Sequence, residues 1–237
     1  MGSSKKDKIA QLREKTRKSK APKTRKENTK DEKVRFLIVC EGAKTEPLYF
    51  KALIKDKVSA VREVNLEDGC MNTVSLVKKT KEIKKNLEQN NNMSFDRVWV
   101  VFDEDDNKDF NNAINMAEQF GFYSAWSNEA FELWYFLHFE YLDTAITRGD
   151  YIDRIEKAFR KANGKKIKYT KNNPDNYSLL QQYGSEDKAK KNAQKLRELY
   201  NDKNYSKHKP CTMVDLLVEE LENPIKVLQE IRRTKKA

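Results

Sequence analysis

Two apolar, β-branched runs in this chain end abruptly in carboxylates. The first, residues 34–40, is followed by Glu41, and the second, residues 95–102, is followed by an acidic stretch that includes Asp103 and Asp105. Uninterrupted apolar runs are typical of parallel strands that are covered on both faces. Because open α/β sheets bind their ligands at the carboxyl ends of parallel strands, we expect the two acidic clusters to lie close together.

The same pattern predicts the remaining elements, in which apolar runs alternate with segments of helical period. Predicted strands cover residues 34–40, 61–66, 95–102 and 122–126, and predicted helices cover 45–57, 72–89, 109–120, 129–139, 150–162, 185–200, 212–222 and 224–233. The helix at 129–139 is apolar on nearly every side, so we expect it to be buried. Gly121 should follow a helix as its C′ residue, and Thr212 with Asp215 predicts a capping box.

This order of elements indicates an α/β fold. We expect a core of about four mostly parallel strands flanked by helices, covering residues 34–142, and a helical C-terminal part, residues 143–237, packed on that core. Residues 1–33 contain few apolar side chains, which predicts a separate disordered tail.

Composition sharpens the interpretation of this tail. The chain has 237 residues and a net charge of +11, and residues 1–33 alone hold 13 Lys or Arg against 5 Asp or Glu. A basic segment attracts nucleic acid without sequence preference, although a solubilising leader would have the same composition. No run of eighteen apolar residues or secretory signal is present, so we expect a cytoplasmic protein with no membrane contact. The three cysteines lack CxxC spacing, which fits a reducing compartment.

The acidic clusters suit a magnesium ion. Mg²⁺ prefers oxygen ligands and takes one or two carboxylates together with waters and substrate phosphates. Asp103 and Asp105 are two residues apart, so both point the same way on an extended segment. Glu41 could complete the site or act as a general acid or base, and Mn²⁺ would suit the same ligands. The alternative is that the acidic stretch is solvated and only precedes the next helix.

Other functional motifs that share part of this sequence pattern are excluded. The chain has no GxxxxGK[ST] loop to accompany a Walker B strand, and no GxSxG elbow. An EF-hand would need glycine where Lys108 stands and glutamate where Ile114 stands. The two histidines, His138 and His208, lack partners at zinc-ligand spacing, and His138 is more simply a buried core histidine.

Several residues near these clusters could bind substrate phosphate. Gly42, Lys44 and Thr45 stand between the first strand and its helix, where backbone amides and the helix dipole favour anions. Gly42 would also allow a tight turn or a close approach of the backbone. Glu46 could equally satisfy the helix dipole or take part in catalysis.

A second candidate contact is the basic loop at residues 165–177. Lys166 and Lys168 precede a stacking ring, Tyr169, in a pattern that suits single-stranded nucleic acid, although an ordinary solvated loop would look the same. Asn128 could cap the apolar helix or reach the acidic crevice. A joint catalytic role for Glu132 and His138 is not favoured, because they lie six positions apart and therefore near opposite faces of one helix.

Four ordered motifs resemble a known family. A strand ending in Glu-Gly, followed downstream by a strand ending in DxD, resembles the Toprim domain of topoisomerases, primases and several nucleases. More narrowly, CEGAKTEPLYF, VVFDEDD, SNEAFELWYFLHFE and HKPCTMVDLLVEEL resemble the RloB-like family. This resemblance implies a Toprim-like core in which Glu41 is the general acid or base and Asp103 and Asp105 bind magnesium. The chain departs from the family pattern at Asn128-Glu129, where relatives usually have Asn-Pro.

The resemblance also implies a function. Related proteins act as effectors of phage-defence systems, encoded beside an ABC-type ATPase that holds them inactive, and they cleave nucleic acid, in some cases transfer RNA. We therefore expect a magnesium-dependent nuclease with RNA or DNA as substrate, either monomeric or a homo-oligomer. The alternatives are a non-catalytic nucleic-acid-binding or assembly module with a degenerate site and, less favoured, an accessory domain of primase or topoisomerase type.

Overall fold

The structure, a computed structural model, describes residues 33–57, 59, 61–68, 72–104, 108–164 and 167–234. Apart from Lys33, the predicted basic tail lies outside these described residues, and so do Asp105 and Lys166. None of the described helices is long and apolar enough to cross a membrane.

A five-stranded sheet forms the centre of the described part, in the order β2-β1-β3-β4-β5. Its strands are β1 Val34–Cys40, β2 Arg62–Asp68, β3 Arg97–Asp103, β4 Tyr123–Asn128 and β5 Cys211–Thr212. The first four strands are parallel, and β5 pairs with β4 antiparallel. The predicted α/β class with mostly parallel strands is confirmed. The sequence analysis did not predict β5, because a strand of two residues is too short to show a hydrophobic period.

Helices cover both faces of this sheet. In the described part they are α1 Thr45–Asp56, α2 Thr73–Asn91, α3 Phe110–Gln119, α4 Glu132–Leu137, α5 Arg148–Asn163, α6 Asn176–Tyr183, α7 Glu186–Glu198, α8 Val214–Glu222 and α9 Pro224–Thr234, with a short 3₁₀ turn at Tyr205–Lys207. Gly121 follows α3 with φ +69°, as its predicted C′ role requires.

Alternate residues of β1 enter different hydrophobic cores. Phe36 and Ile38 belong to the larger core, which includes α1, α4 and most of the later helices. Leu37 and Val39 belong to a second core formed with α2 and α3. All four side chains are fully buried. The continuous apolar run of β1 is therefore a consequence of burial on both faces of the sheet.

The apolar helix differs from its prediction in length. It was expected at residues 129–139, but α4 covers only Glu132–Leu137, and all six of its residues are buried. Asn128 does not cap it, because Asn128 ends β4 and donates its side-chain amide to the carbonyls of Tyr205 and Ser206, at 3.3 and 3.1 Å. The expected burial is confirmed, whereas the expected cap is wrong.

Two further local predictions are corrected. The predicted capping box at Thr212 is absent: Thr212 lies in β5 and shares a hydrogen bond of 2.9 Å with Ser127, while Asp215 pairs with Arg197. A capping box instead begins α5, where Thr147 and Asp150 bind each other's backbone N–H. The predicted loop at 165–177 includes the start of α6, which the sequence analysis missed.

Candidate functional site

Glu41 and Asp103 meet at the carboxyl edge of the sheet. Strands β1 and β3 are neighbours in register, with Cys40 opposite Val101. The Glu41 N–H donates to the Val101 carbonyl at 2.8 Å, and the Asp103 N–H donates to Glu41 Oε2 at 3.3 Å. The backbones of these two acidic residues, which are 62 positions apart, are therefore neighbours as expected, but their side chains lie on opposite faces of the sheet. The position of Asp105 lies outside the described part of the chain.

The side chain of Glu41 is held from the α2 side of the sheet. It is half-buried, and the hydroxyl of Thr73, at the start of α2, lies 3.5 Å from Glu41 Oε1. Together with the bond from the Asp103 backbone, this contact fixes the orientation of the carboxylate.

The side chain of Asp103 occupies the opposite face. It follows Trp99 and Val101 in the strand alternation, which directs it toward α1 and α4. One carboxylate oxygen, Oδ2, lies 3.3 Å from Arg148 Nη2, and the other, Oδ1, is buried without a hydrogen-bond partner. Burial raises the pKa of Asp103 well above its usual value; the charges of Glu46 and Glu132 raise it further, while Arg148 and the backbone at Phe131 oppose them.

Two further carboxylates therefore lie near Asp103: Glu46, for which a catalytic role was left open, and Glu132, which was not expected at the site. Glu46, in the first turn of α1, is 5% exposed, and Glu132, the first residue of α4, is fully buried. Burial raises the pKa of Glu46 and Glu132 adds to the rise, while backbone hydrogen bonding, Lys171 and Arg148 oppose it. Glu132 Oε2 is buried without a hydrogen-bond partner. The sequence contains a signal for Glu132, because it is the one carboxylate inside the apolar run FELWYFL and would be buried with that run.

Gly42 permits this packing of Glu46. A Cβ atom added at Gly42 would collide with the Glu46 carboxylate, so only glycine lets that side chain approach the backbone. The close approach proposed for Gly42 therefore involves a neighbouring side chain. Lys44 is exposed beside it, at the N-terminus of α1. Thr45 is 2% exposed and donates its hydroxyl to the Lys171 carbonyl at 3.3 Å. Phosphate binding by Gly42, Lys44 and Thr45 stays a prediction.

The loop between α5 and α6 forms part of the site in an unexpected way. Tyr169 is buried, its N–H donates to Glu156 at 2.9 Å, and its hydroxyl donates to Glu132 Oε1 at 3.2 Å. Its ring cannot stack on a nucleic-acid base, so that interpretation of Tyr169 was wrong. Lys168 is exposed next to it and remains a candidate phosphate contact, whereas Lys166 lies outside the described residues.

A separate ion pair lies directly after β3. Glu104, which follows β3, pairs with Lys209 at 3.1 Å, and its N–H donates to the Ser127 carbonyl. Within the described ranges, no group of three or more Asp, Glu, His or Cys side chains is arranged to hold a metal ion. Asp103 is instead paired with Arg148, so positive charge already reaches the carboxylate that we expect to bind the ion.

Comparison with known proteins identifies the family. Comparisons with curated proteins and with solved structures each gave no match. The family model described as RloB-like protein matches residues 36–221, which include Glu41, Glu46, Asp103 and Glu132. Because this match covers most of the chain, the chain belongs to the RloB-like protein family.

Proposed function

We propose that this protein is a magnesium-dependent nuclease of Toprim type that cleaves a phosphodiester bond in RNA, transfer RNA included, or in DNA. The observation that carries the proposal is the buried Asp103 carboxylate, with Oδ1 lacking a hydrogen-bond partner, at the strand end where the Asp103 N–H donates to Glu41. Burying a carboxylate without full compensation costs several kcal/mol, roughly, in a folded protein. Such costs are typical of functional sites, where the group is needed for binding or catalysis.

The donor chemistry fits the ion. Magnesium commonly takes one or two carboxylates and completes its shell with waters and phosphate oxygens. Asp103 would be such a donor at this edge of the sheet, and Asp105 is the third predicted ligand. Glu41 lies on the other face of the sheet, so its carboxylate would have to turn toward Asp103 to share the ion. A bound Mg²⁺ would polarise the phosphodiester and favour ionisation of a water molecule.

The chain's own side chains would supply the remaining functions. Glu41, oriented by Thr73 and the Asp103 backbone, would accept or donate a proton at the reacting phosphate. Lys44, exposed at the start of α1, would contact a non-bridging phosphate oxygen together with the local backbone amides. Lys168 would hold the flanking strand, and the basic residues 1–33 would concentrate nucleic acid near the site.

The first experiment is a cleavage assay. Purified protein is incubated with Mg²⁺ and a mixed pool of transfer RNA, single-stranded DNA and duplex DNA, and the new ends are sequenced. We expect Glu41→Gln and Asp103→Asn to abolish cleavage while circular dichroism shows an unchanged fold. Glu220→Gln is the matched control, because Glu220 pairs with Arg97 and Trp99 near the start of β3, far from the carboxyl edge. Cleavage that both site variants retain at the original rate would refute the catalytic assignment.

The resemblance to phage-defence effectors adds a partner to the proposal. An ABC-type ATPase would bind the protein and hold the nuclease inactive until infection. Expression of the protein alone should therefore arrest cell growth, and co-expression with the ATPase encoded beside it should restore growth. Growth arrest that depends on Asp103 would connect the toxicity to the same site.

One observation favours the alternative function. Because Arg148 pairs with Asp103 and the described carboxylates contain no ready three-ligand group, a non-catalytic nucleic-acid-binding module is the second candidate. The two candidates differ in one measurement. Nucleic-acid binding without any new ends, in Mg²⁺ and in Mn²⁺, would favour the binding module.

A further inference from the structure

Arg148 links the C-terminal helical part to the acidic crevice. It is the first residue of α5, and its guanidinium lies 3.3 Å from Asp103 Oδ2. The Arg148 side chain is 31% exposed and the Asp103 side chain is 8% exposed. The pair therefore lies at the boundary between the buried carboxylates and solvent, where a dissolved ion can reach it.

The backbone that carries Arg148 is fixed. Thr147 caps α5: its hydroxyl accepts a hydrogen bond from the Asp150 N–H at 3.3 Å, and the Asp150 carboxylate accepts from the Thr147 N–H at 3.0 Å. A reciprocal cap of this kind defines the first turn of a helix. The Arg148 side chain therefore extends from a fixed backbone position.

The charge of Arg148 acts on more than one carboxylate. Its guanidinium contacts Asp103 directly, and its positive charge also acts on Glu46 in the same crevice. Glu132 adds a third carboxylate to the same crevice, and Lys171 acts on Glu46 from the loop after α5. Arg148 is the cation that directly contacts Asp103 among the described ion pairs.

We propose that Arg148 is a built-in counter-ion that a divalent cation must displace from Asp103, and that it thereby sets the affinity of the site for that cation. This inference rests on the proposed function, because it assumes that Asp103 binds the ion. Two positive charges at one carboxylate repel each other, and the repulsion is strong where water is partly excluded. Arg148 therefore weakens ion binding without contacting the ion.

The test measures ion binding instead of cleavage. The full chain is titrated with MnCl₂ by isothermal calorimetry, for the wild type, Arg148→Gln and the control Arg160→Gln, which removes an exposed arginine from the same helix. We expect Arg148→Gln to bind Mn²⁺ about tenfold more tightly than the wild type, because the competing charge is gone. Arg160→Gln should bind like the wild type. An unchanged or weaker affinity in Arg148→Gln would overturn the inference.

A second variant is included in case Arg148→Gln does not fold. Loss of the counter-charge could unfold the crevice, so circular dichroism is recorded for each protein. Arg148→Met removes the charge but keeps an unbranched side chain of similar length, and it should also bind Mn²⁺ more tightly than the wild type. If the glutamine variant does not fold, the methionine variant decides: tighter binding than wild type supports the inference and equal or weaker binding rejects it.

Asp103→Asn separates this inference from the proposed function. If Asp103→Asn loses Mn²⁺ binding and the Arg148 variants bind like the wild type, only the role of Arg148 fails. If Asp103→Asn binds Mn²⁺ as tightly as the wild type, the ion does not use Asp103, and the proposed metal site fails as well.

Discussion

Replacing Asp103 by asparagine should stabilise the fold in the absence of divalent ions, although it removes a predicted metal ligand. The wild-type Asp103 side chain is 8% exposed and leaves Oδ1 without a hydrogen-bond partner. Asparagine has almost the same shape and no charge, so it avoids the cost of burying a carboxylate beside Glu46 and Glu132. Its side-chain oxygen can still accept a hydrogen bond from Arg148.

The magnitude follows from the raised pKa of Asp103. In the unfolded chain this carboxyl should titrate near about 3.9. The folded pKa is higher, so between the two values the folded protein holds a proton that the unfolded chain has released. The free energy of unfolding of the wild type therefore falls by about 1.4 kcal/mol per pH unit in this window, and the fall ends above the folded pKa. The asparagine variant lacks this dependence.

Urea denaturation with EDTA, from about pH 4.5 to about pH 7.5, measures this difference. We expect the stability gap between Asp103→Asn and the wild type to widen as pH rises, with the variant more stable at neutral pH. Asp153→Asn, an exposed substitution on α5, should stay within about 0.5 kcal/mol of the wild type. A gap that does not change with pH, or a variant less stable than the wild type at neutral pH, would show that the buried charge carries no such cost.

Three further predictions concern other parts of the molecule. Arg197→Met should destabilise the fold by about 3–5 kcal/mol in urea denaturation, because it leaves Asp215 buried without the partner that now binds it at 2.5 and 2.8 Å; a loss below about 1 kcal/mol would contradict this. Burial lowers the pKa of His138 from 6.5 to about 4, so its ring should titrate near that value by NMR, and its contribution to stability should fall as pH drops from 6.5 toward 4; a ring that titrates near 6.5 would be inconsistent with its burial. Glu132→Gln should reduce nucleic-acid cleavage while the Tyr169 contact and the fold persist, and wild-type cleavage rates in that variant would remove Glu132 from the site.

The sequence predicted the parts of the fold that have a local pattern. Strand β1 was predicted with its observed bounds because six of its seven residues are apolar, with only Arg35 breaking the run, and such a segment has few alternatives. The convergence of Glu41 with Asp103 followed from the parallel arrangement alone. Strand β5 lacks any such pattern, because its two residues join the sheet only through pairing with β4.

The candidate site was predicted in part, for the same reason. Glu41 and Asp103 stand at strand ends, where topology determines their position. Arg148 lies 45 residues beyond Asp103, and Tyr169 lies 37 residues beyond Glu132. Contacts of this kind depend on how the later helices pack against the sheet, which no local periodicity specifies. Tyr169 also shows that a tyrosine among lysines can be buried while its neighbour Lys168 stays exposed.

The distribution of the crevice along the chain has a consequence for biosynthesis. Its acidic residues begin at Glu41, yet the tyrosine that contacts Glu132 is residue 169. At translation rates of about 5–20 residues per second, Tyr169 emerges from the ribosome roughly 6 to 26 seconds after Glu41. A nascent or prematurely terminated polypeptide therefore has the early carboxylates without the wall that encloses them.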